Sequence, residues 1–179
     1  RPEQPDAVMV RLDPGLAFGT GTHATTAMCL EWLDSLDLAG KTLLDYGCGS
    51  GVLAIAALKL GCKHAHAMDI DPQAVLATRL NAAENGVQGH LDVSGAADDI
   101  EGDFDVVVAN ILAGPLAELA AGIAGHVRPG GRLGLSGILS EQTEEVREAY
   151  APWVDFDEPE FRPQDGQTWT RLTGSKRHS

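Results

Sequence analysis

The glycine-rich segment at residues 43–54, LLDYGCGSGVLA, most constrains how this chain can fold. Its apolar start predicts a short strand, its glycines predict an abrupt turn, and its apolar end predicts a helix. Because glycine lacks a Cβ, such a turn can adopt positive φ and let a ligand approach the backbone. The free N–H groups of the first helical turn can then meet a polar ligand. The segment therefore indicates the first βα unit of a doubly wound α/β fold, in which ligands bind beyond the carboxyl ends of the strands.

The spacing of these glycines narrows the choice of ligand. A dinucleotide site is typically G-x-G-x-x-G, and its last glycine permits close packing of helix against strand. Counted from Gly47, that last position is Val52, and the pattern is instead D-x-G-x-G-x-G. This pattern resembles motif I of the class I S-adenosylmethionine (SAM) methyltransferases. Asp45, at the strand end, would support the cationic methionine end of SAM; a tight βα turn without a ligand is the alternative.

A second predicted strand, after the glycine-rich segment, also ends in an acidic residue. Residues 64–69 are typical of a strand that ends in Asp69, 22 residues after Gly47. A carboxylate at this place can accept both ribose hydroxyls, in NAD and SAM sites alike, so Asp69 does not choose between them. Asp71 and Pro72 predict the N-cap and first position of a helix. We therefore assign Asp69 to a ribose and Asp71 to capping, with a surface acid as the alternative for Asp69.

The glycine- and threonine-rich residues 13–26 predict a loop that leads into a helix. Thr22 is the expected N-cap of that helix, which should extend to about Leu36. Thr26 lies on one helical stripe with Leu30 and Leu33, which must face the core. Thr26 therefore points inward at the helix start. It either contacts a ligand in the pocket or bonds back to its own helix, and the spacing alone does not choose.

A continuous apolar segment at residues 104–109 predicts a buried central strand, and Asn110 follows it directly. An asparagine at the carboxyl tip of this strand would lie beside the glycine loop. Its side-chain oxygen can accept a hydrogen bond from an amine, and its amide nitrogen can donate one. That would suit holding an amino group before a sulfonium methyl; capping of the next helix is the alternative.

Composition limits the partners and the compartment. The chain has 179 residues, 44% of them hydrophobic, and no apolar run approaches a membrane span. The net charge of −13 argues against a large phosphate-binding surface, so we expect neither a membrane nor a direct nucleic-acid partner. The three cysteines are odd in number, which fits a reducing cytoplasm. None has metal-ligand spacing, and we expect no metal site.

The rest of the sequence predicts the overall fold and its boundaries. We expect a doubly wound, mostly parallel seven-stranded sheet of the Rossmann-like, class I methyltransferase type with an antiparallel C-terminal hairpin around residues 163–166. The strands of that hairpin are expected at 153–158 and 168–173, a helix at 116–127 and a turn at 129–131. Residues 1–7 would be a linker or a truncated domain junction, 8–174 the catalytic domain and 175–179 a flexible tail.

The glycine loop, Asp69 and Asn110 together suggest a known family. The chain resembles the catalytic domain of the ribosomal protein L11 methyltransferases. Two segments are very specific to that family, residues 12–23 (LDPGLAFGTGTH) and 108–116 (VANILAGPL). Residues 45–51 and 69–74 match it more generically. Ala24 stands where family members usually have proline. The family's full chain also carries an N-terminal domain that recognises the ribosomal protein, and nothing in this chain corresponds to it.

The resemblance implies a cytoplasmic SAM-dependent protein N-methyltransferase. Its substrate would be ribosomal protein L11, modified on lysine side chains and on the N-terminal α-amino group. Asn110 would be the catalytic residue, orienting the amine or the methionine end of SAM; His23 is a candidate base but is better explained as structural. The residues implied for cofactor binding are Phe18, Gly19, Thr20, Thr22, Thr26, Asp45, Gly47, Gly49, Asp69, Ile70 and Asn110.

Three other functions compete with this interpretation. A nucleic-acid amino-methyltransferase typically has proline and an aromatic residue after the strand-tip Asn or Asp. Residues 111–113 are Ile-Leu-Ala, which disfavours it. An NAD-dependent oxidoreductase is disfavoured by Val52, and we find no hydride-transfer constellation. The third alternative is a SAM-binding module without catalysis, which the sequence does not exclude.

Overall fold

The computed structural model describes residues 23–178, and this part of the chain forms a layered α/β structure. Its helices are α1 Ala24–Ser35, α2 Val52–Lys59, α3 Pro72–Glu84, α4 Ala113–Glu118, α5 Ala120–Gly125 and α6 Thr143–Tyr150. Its strands are β1 Thr42–Tyr46, β2 His64–Met68, β3 Leu91–Ser94, β4 Phe104–Asn110, β5 Val127–Leu139, β6 Val154–Phe156, β7 Glu160–Gln164 and β8 Gln167–Lys176. The α/β alternation follows the predicted pattern.

The strands form one mixed sheet in the order β3-β2-β1-β4-β5-β8-β6, with β7 also paired to β8. Strands β1 to β5 are parallel, and β8 runs antiparallel to β5, β6 and β7. The order reverses between β1 and β4, and ligands bind at such a switch point in open α/β sheets. The predicted fold class is confirmed.

The edge of the sheet beyond β8 is shared by two short strands. β6 pairs with residues 174–176 of β8, and β7 pairs with residues 167–171. The sheet thus has seven positions across but eight strands. Pro159 lies between β6 and β7, where it has no backbone N–H to donate to a ladder. Residues 153–158, expected as one strand of the hairpin, therefore supply only β6, and the hairpin is formed by β7 and β8.

Two apolar clusters cover the two faces of the sheet. Neighbouring residues of β1 separate them: Leu43 packs with α1 and α2, whereas Leu44 packs with α4, α5 and α6. Both leucines are completely buried. This alternation along a parallel strand, with helices on both sides, explains the continuous apolar sequences of the central strands. Leu33 is buried as predicted, and Leu30 is partly buried beside it.

Three local predictions differ from the structure. The helix expected at 116–127 is two short helices, α4 and α5, which meet at Leu119. The turn expected at 129–131 is a bulge inside β5, since Phe104 pairs with Val127 but Val106 pairs with Arg132. The tail expected from residue 175 begins later, because β8 extends to Lys176, whose Nζ donates to the carbonyls of Ala124 and Val127. That ammonium satisfies one carbonyl in the last turn of α5 and one at the start of β5.

Within residues 23–178, no helix combines the length and the apolar composition that crossing a bilayer would require.

Candidate active site

A cavity of about 560 Å³ opens at the carboxyl edge of the sheet. Its lining follows the strand order, from Asp69 after β2, through Asp45 and Gly47 of the β1 tip and Asn110 of β4, to Gly137 of β5. Parallel strands bring their carboxyl ends to one edge, so residues far apart in sequence meet here. The other lining residues are His23, Thr25, Thr26, Cys48, Gly49, Ser50, Val52, Leu53, Ile111, Leu112 and Trp169.

The glycine loop is anchored to the end of β2. The N–H groups of Gly47 and Cys48 both donate to the Met68 carbonyl, at 2.7 and 2.9 Å. Gly47 has φ +82°, and a Cβ there would lie 2.4 Å from Cγ2 of Ile111. Both the backbone conformation and the space require glycine at this position. The loop therefore presents bare backbone to the cavity, as expected from its sequence.

Asp69 is held by the backbone on both of its oxygens. Oδ2 accepts the N–H of Gly49 at 2.9 Å, and Oδ1 accepts the N–H of Asp71 at 3.0 Å. These bonds fix the carboxylate at the tip of β2, and each oxygen keeps capacity for a further hydrogen bond. Asp69 is half-buried and lines the cavity, so the alternative of a plain surface acid does not describe it. Asp71 caps α3 as predicted, accepting the N–H of Gln73 at 2.9 Å.

Asp45 is a buried carboxyl group that is only half satisfied. Its side chain is 1% exposed, and Oδ2 accepts the N–H of Ala54 at 3.3 Å. Its other oxygen, Oδ1, has no hydrogen-bond partner among the described residues. Burial raises the pKa of Asp45 to about 7; the Ala54 bond opposes this rise, and the negative charge of Asp69 adds to it. An unsatisfied acceptor on the cavity wall suits a ligand that carries a proton donor or a positive charge.

Thr26 of α1 and Asn110 of β4 are brought together in the wall of the cavity. The amide Nδ2 of Asn110 donates to the Thr26 hydroxyl at 3.3 Å, and Thr26 is 4% exposed. Helix α4 has Leu112 as its N-cap, so the alternative of Asn110 as a helix cap is wrong. Because Nδ2 is turned to Thr26, Oδ1 of Asn110 is left as an acceptor. A Cβ built on Gly137 would lie 3.1 Å from this oxygen, which places Oδ1 against Gly137.

His23, not Thr22 as predicted, is the N-cap of α1. The N–H of Thr25 donates to Nδ1 of His23 at 3.2 Å, and the Thr25 hydroxyl lies 2.9 Å from the same nitrogen. A nitrogen that accepts an N–H carries no proton, so the neutral imidazole holds its proton on Nε2. That tautomer offers a donor rather than a base. The geometry therefore agrees with the structural role expected for His23.

Of the other residues predicted from the sequence for cofactor binding, the structure places some in the cavity wall and some outside it, and does not describe the rest. Gly49 lines the cavity with the residues above, whereas Ile70 does not and is 83% exposed at the turn into α3. Phe18, Gly19, Thr20 and Thr22 lie outside the described residues. Sequence analysis missed Gly137 and Trp169, which arrive on β5 and on the antiparallel strand β8. Trp169 lies inside the strand expected at 168–173, so no strand-tip pattern marks it. Gly137 directly follows residues 132–136, which the sequence also predicts to be a strand, so its place at a strand tip was the signal that could have marked it.

The sheet order and the cavity at its switch point define the class I methyltransferase fold. The crystal structure of a ribosomal protein L11 methylase from Lactobacillus delbrueckii subsp. bulgaricus superposes with a TM-score of 0.87 at 35% identity, covering 99% of this chain and 90% of that one. The N-methyltransferase NodS from Bradyrhizobium japonicum WM9, in complex with S-adenosyl-L-homocysteine, shares the fold at 14% identity and a TM-score of 0.71, covering 89% of this chain and 91% of that one.

Sequence comparison identifies the family within this class. The family model for ribosomal protein L11 methyltransferase (PrmA) matches residues 1–177, and the chain belongs to this family. Ribosomal protein L11 methyltransferases from Actinobacillus pleuropneumoniae serotype 5b (strain L20) and Aeromonas salmonicida (strain A449) are 60% and 57% identical over 174 and 175 residues. The matches cover 97% and 96% of this chain. The chain spans 58% of the length of both relatives.

Proposed function

We propose that the chain is the catalytic domain of a SAM-dependent protein N-methyltransferase, and that its cavity binds SAM. The observation that carries this proposal is the pair of acids at adjacent strand tips. Asp69 presents a backbone-fixed carboxylate, and Asp45 presents a buried, unpartnered oxygen. Family membership and the SAM-type loop sequence point to the same ligand.

The described residues fit the parts of SAM in order along the sheet edge. Asp69 would accept the ribose hydroxyls, and Gly47 and Gly49 would let the cofactor approach the loop backbone. Asp45 would bind the ammonium of the methionine end, directly or through water. Oδ1 of Asp45 would then accept the hydrogen bond that it lacks within the described residues. Thr26 and Asn110 would close the end nearest the methyl group. The adenine would pack on Ile70, which is exposed beside Asp69, and would bury its apolar side chain.

The remaining predicted residues belong to the same proposal. Phe18, Gly19, Thr20 and Thr22 would complete the cofactor site from the loop before α1. We keep them as predictions on the strength of the specific motif at residues 12–23.

The chemistry requires a neutral amine in line with the reactive bond. SAM, when bound, supplies a methyl group: the amine lone pair forms the N–CH₃ bond, the C–S bond breaks with its electrons going to sulfur, and the nitrogen releases a proton to water. A lysine with a pKa of ~10.4 is only about one part in 2,500 neutral at pH 7. The chain would contribute chiefly positioning and partial desolvation, which lowers an amine pKa.

The substrate and the compartment are part of the proposal. We propose ribosomal protein L11 as the substrate, since the curated relatives carry that name, and lysine and N-terminal amines as the acceptors. The part of those relatives that this chain does not cover would strengthen recognition of L11, so methyl transfer by the chain alone is tested at high L11 concentration. We also propose a cytoplasmic location, because Cys29, Cys48 and Cys62 are all free thiols.

Calorimetric titration with SAM, and with NAD as the comparison, tests the cofactor. We expect saturable binding of about one SAM per chain and none of NAD. Asp69→Asn should weaken SAM binding about tenfold or more, because hydrogen bonds to a charged group are each worth about 1.5–3 kcal/mol. Asp71→Asn is the matched control: it removes a carboxylate two residues away while retaining a good N-cap. Binding of NAD instead of SAM would refute the proposal.

Methyl transfer tests the activity. The chain is incubated with SAM and purified L11, and methyl additions are counted by mass spectrometry. Asn110→Ala should slow transfer or weaken SAM binding. Transfer at the wild-type rate with unchanged SAM affinity would remove Asn110 from the site. Methylation of RNA but not of L11 would favour the nucleic-acid alternative.

A further inference from the structure

The cavity extends beyond the residues that the cofactor needs. Its lining continues past Asn110 to Gly137 on β5 and Trp169 on β8, with His23 and Leu112 at its sides. We call the part lined by His23, Leu112, Gly137 and Trp169 the acceptor cleft. Adjacent strands lie about 4.8 Å apart, so β8 is about 10 Å from β4. That distance leaves room for a flexible alkyl chain beside Asn110.

A bulge in β5 opens this space. The pairing of β5 with β8 shifts register between Leu135 and Ile138, where Ser136 and Gly137 lie. Gly137 has φ +87°, and a Cβ there would lie 2.3 Å from the Ile111 carbonyl oxygen and 3.1 Å from Oδ1 of Asn110. Bulges next to functional sites commonly redirect a strand. Here the bulge leaves bare backbone beside Oδ1 of Asn110, since the bond to Thr26 uses only Nδ2.

The walls of the cleft are apolar and aromatic. Trp169 is half-buried and lies edge to face with His23, ring centroids 5.1 Å apart. Leu112 is 70% exposed although it lines the cavity, so it stands at the open side. The two carboxylates of the described lining, Asp45 and Asp69, come from the β1 and β2 tips on the cofactor side. Such walls accept methylene groups, and an indole face also attracts a cation.

We propose that the acceptor cleft binds the side chain of a lysine-type amine, with its methylenes between Trp169 and Leu112 and its nitrogen at Oδ1 of Asn110. This inference rests on the proposed function, since it names the acceptor subsite of that same cavity. The amine arrives as an ammonium at the indole and becomes less hydrated as it enters. Desolvation without a carboxylate partner favours its neutral form.

The test uses the 179-residue chain saturated with S-adenosylhomocysteine, which occupies the cofactor part without reacting. Nα-acetyl-lysine methylamide is then titrated in, and the indole N–H signals are followed by NMR. Trp169, assigned with the Trp169→Phe variant, should shift saturably, and Trp32 and Trp153 should not. Failure of S-adenosylhomocysteine to bind would refute the proposed function. Its binding without any shift of Trp169 would overturn only the acceptor cleft.

Two leucine variants separate a substrate contact from a structural role. Trp169→Leu removes the aromatic wall and should weaken binding of the lysine derivative about fivefold or more, the effect expected for a lost cation–π contact. Its affinity for S-adenosylhomocysteine should stay within about twofold, which also shows that the cavity is folded. Phe161→Leu is the matched control, since Phe161 is an aromatic residue of β7, 53% exposed and outside the cavity. Unchanged lysine binding in Trp169→Leu would overturn the proposal.

Discussion

The side-chain amide of Asn110 donates to the hydroxyl of Thr26 at 3.3 Å, although 84 residues separate the two in sequence. The bond joins the tip of β4 to the first turn of α1 in the wall of the cavity. It fixes which way the Asn110 amide points, because only Nδ2 can donate. The acceptor oxygen is thereby directed toward the acceptor cleft. Thr26 thus acts on the site through Asn110 as well as by lining it.

Replacing Thr26 with valine should loosen this arrangement. Valine keeps the shape of the buried side chain but leaves Nδ2 without its partner. A hydrogen bond of this kind contributes about 0.5–1.5 kcal/mol, so SAM affinity should fall about two- to tenfold. Thr173→Val is the control, since the Thr173 hydroxyl donates to Asp157 at 3.1 Å far from the cavity. Equal SAM affinity of the Thr26 variant and the control, measured by calorimetry, would count against the coupling.

Alanine at Gly47 should disturb both stability and binding. The left-handed backbone costs a residue with a Cβ about 1–2 kcal/mol, and the added carbon would meet Ile111. Gly40→Ala isolates the first effect, because Gly40 has φ +72° with nothing within 4 Å of a built Cβ. In urea unfolding, Gly47→Ala should lose more stability than Gly40→Ala, and only Gly47→Ala should lose SAM binding. Equal losses of stability in the two variants, with SAM binding retained in both, would contradict the expected clash between a Cβ at position 47 and Ile111.

Much of this site could be predicted because it is built from strand ends. Asp45, Asp69 and Asn110 each follow an apolar segment, and parallel strands must bring such ends to one edge. The conformation of the glycine loop was equally predictable, because the spacing of its glycines requires a tight turn. These predictions needed no knowledge of register.

The rest depends more on long-range pairing than on local pattern. Trp169 reaches the cavity because β8 runs antiparallel and pairs Trp169 with Leu139. Gly137 does so because the same pairing shifts register beside it. His23 rather than Thr22 caps α1, a choice of one residue that competing side chains decide in three dimensions. All three residues line the acceptor cleft, so the cofactor side was more predictable than the acceptor side.

Helix α1 is held against the C-terminal hairpin by Glu31 and Arg162. The two side chains form a bidentate pair at 2.9 and 2.6 Å, and the hydrogen bond from Arg162 lowers the pKa of Glu31. Because both are substantially exposed, Arg162→Gln should cost less than about 1 kcal/mol, a fall in Tm of a few degrees at most. The double reversal Glu31→Arg with Arg162→Glu should recover part of that loss at low salt. Recovery that is equally large at high salt would argue against an ion pair.

The buried carboxyl of Asp45 makes stability depend on pH. Its pKa in the folded chain is about 7, whereas an unfolded aspartate has a pKa of ~3.9. Between these values the folded chain holds a proton that the unfolded chain has lost. The resulting stabilisation is complete below the unfolded pKa and is lost as the pH rises through about 7. The ligand-free chain should therefore lose a few kcal/mol of this contribution from about pH 4 to pH 8.

Asp45→Asn should remove that dependence, because asparagine stays neutral throughout. Urea unfolding at several pH values between 4 and 8, without SAM, compares the slopes of stability against pH. Asp103→Asn, which removes an exposed carboxylate, should keep the wild-type slope. SAM titrations give the second measurement: ionised Asp45 attracts the ammonium of SAM, so wild-type affinity should rise from pH 6 to pH 8, and Asp45→Asn should show a flatter profile. Parallel pH profiles for wild type and Asp45→Asn in both experiments would show that another group titrates there.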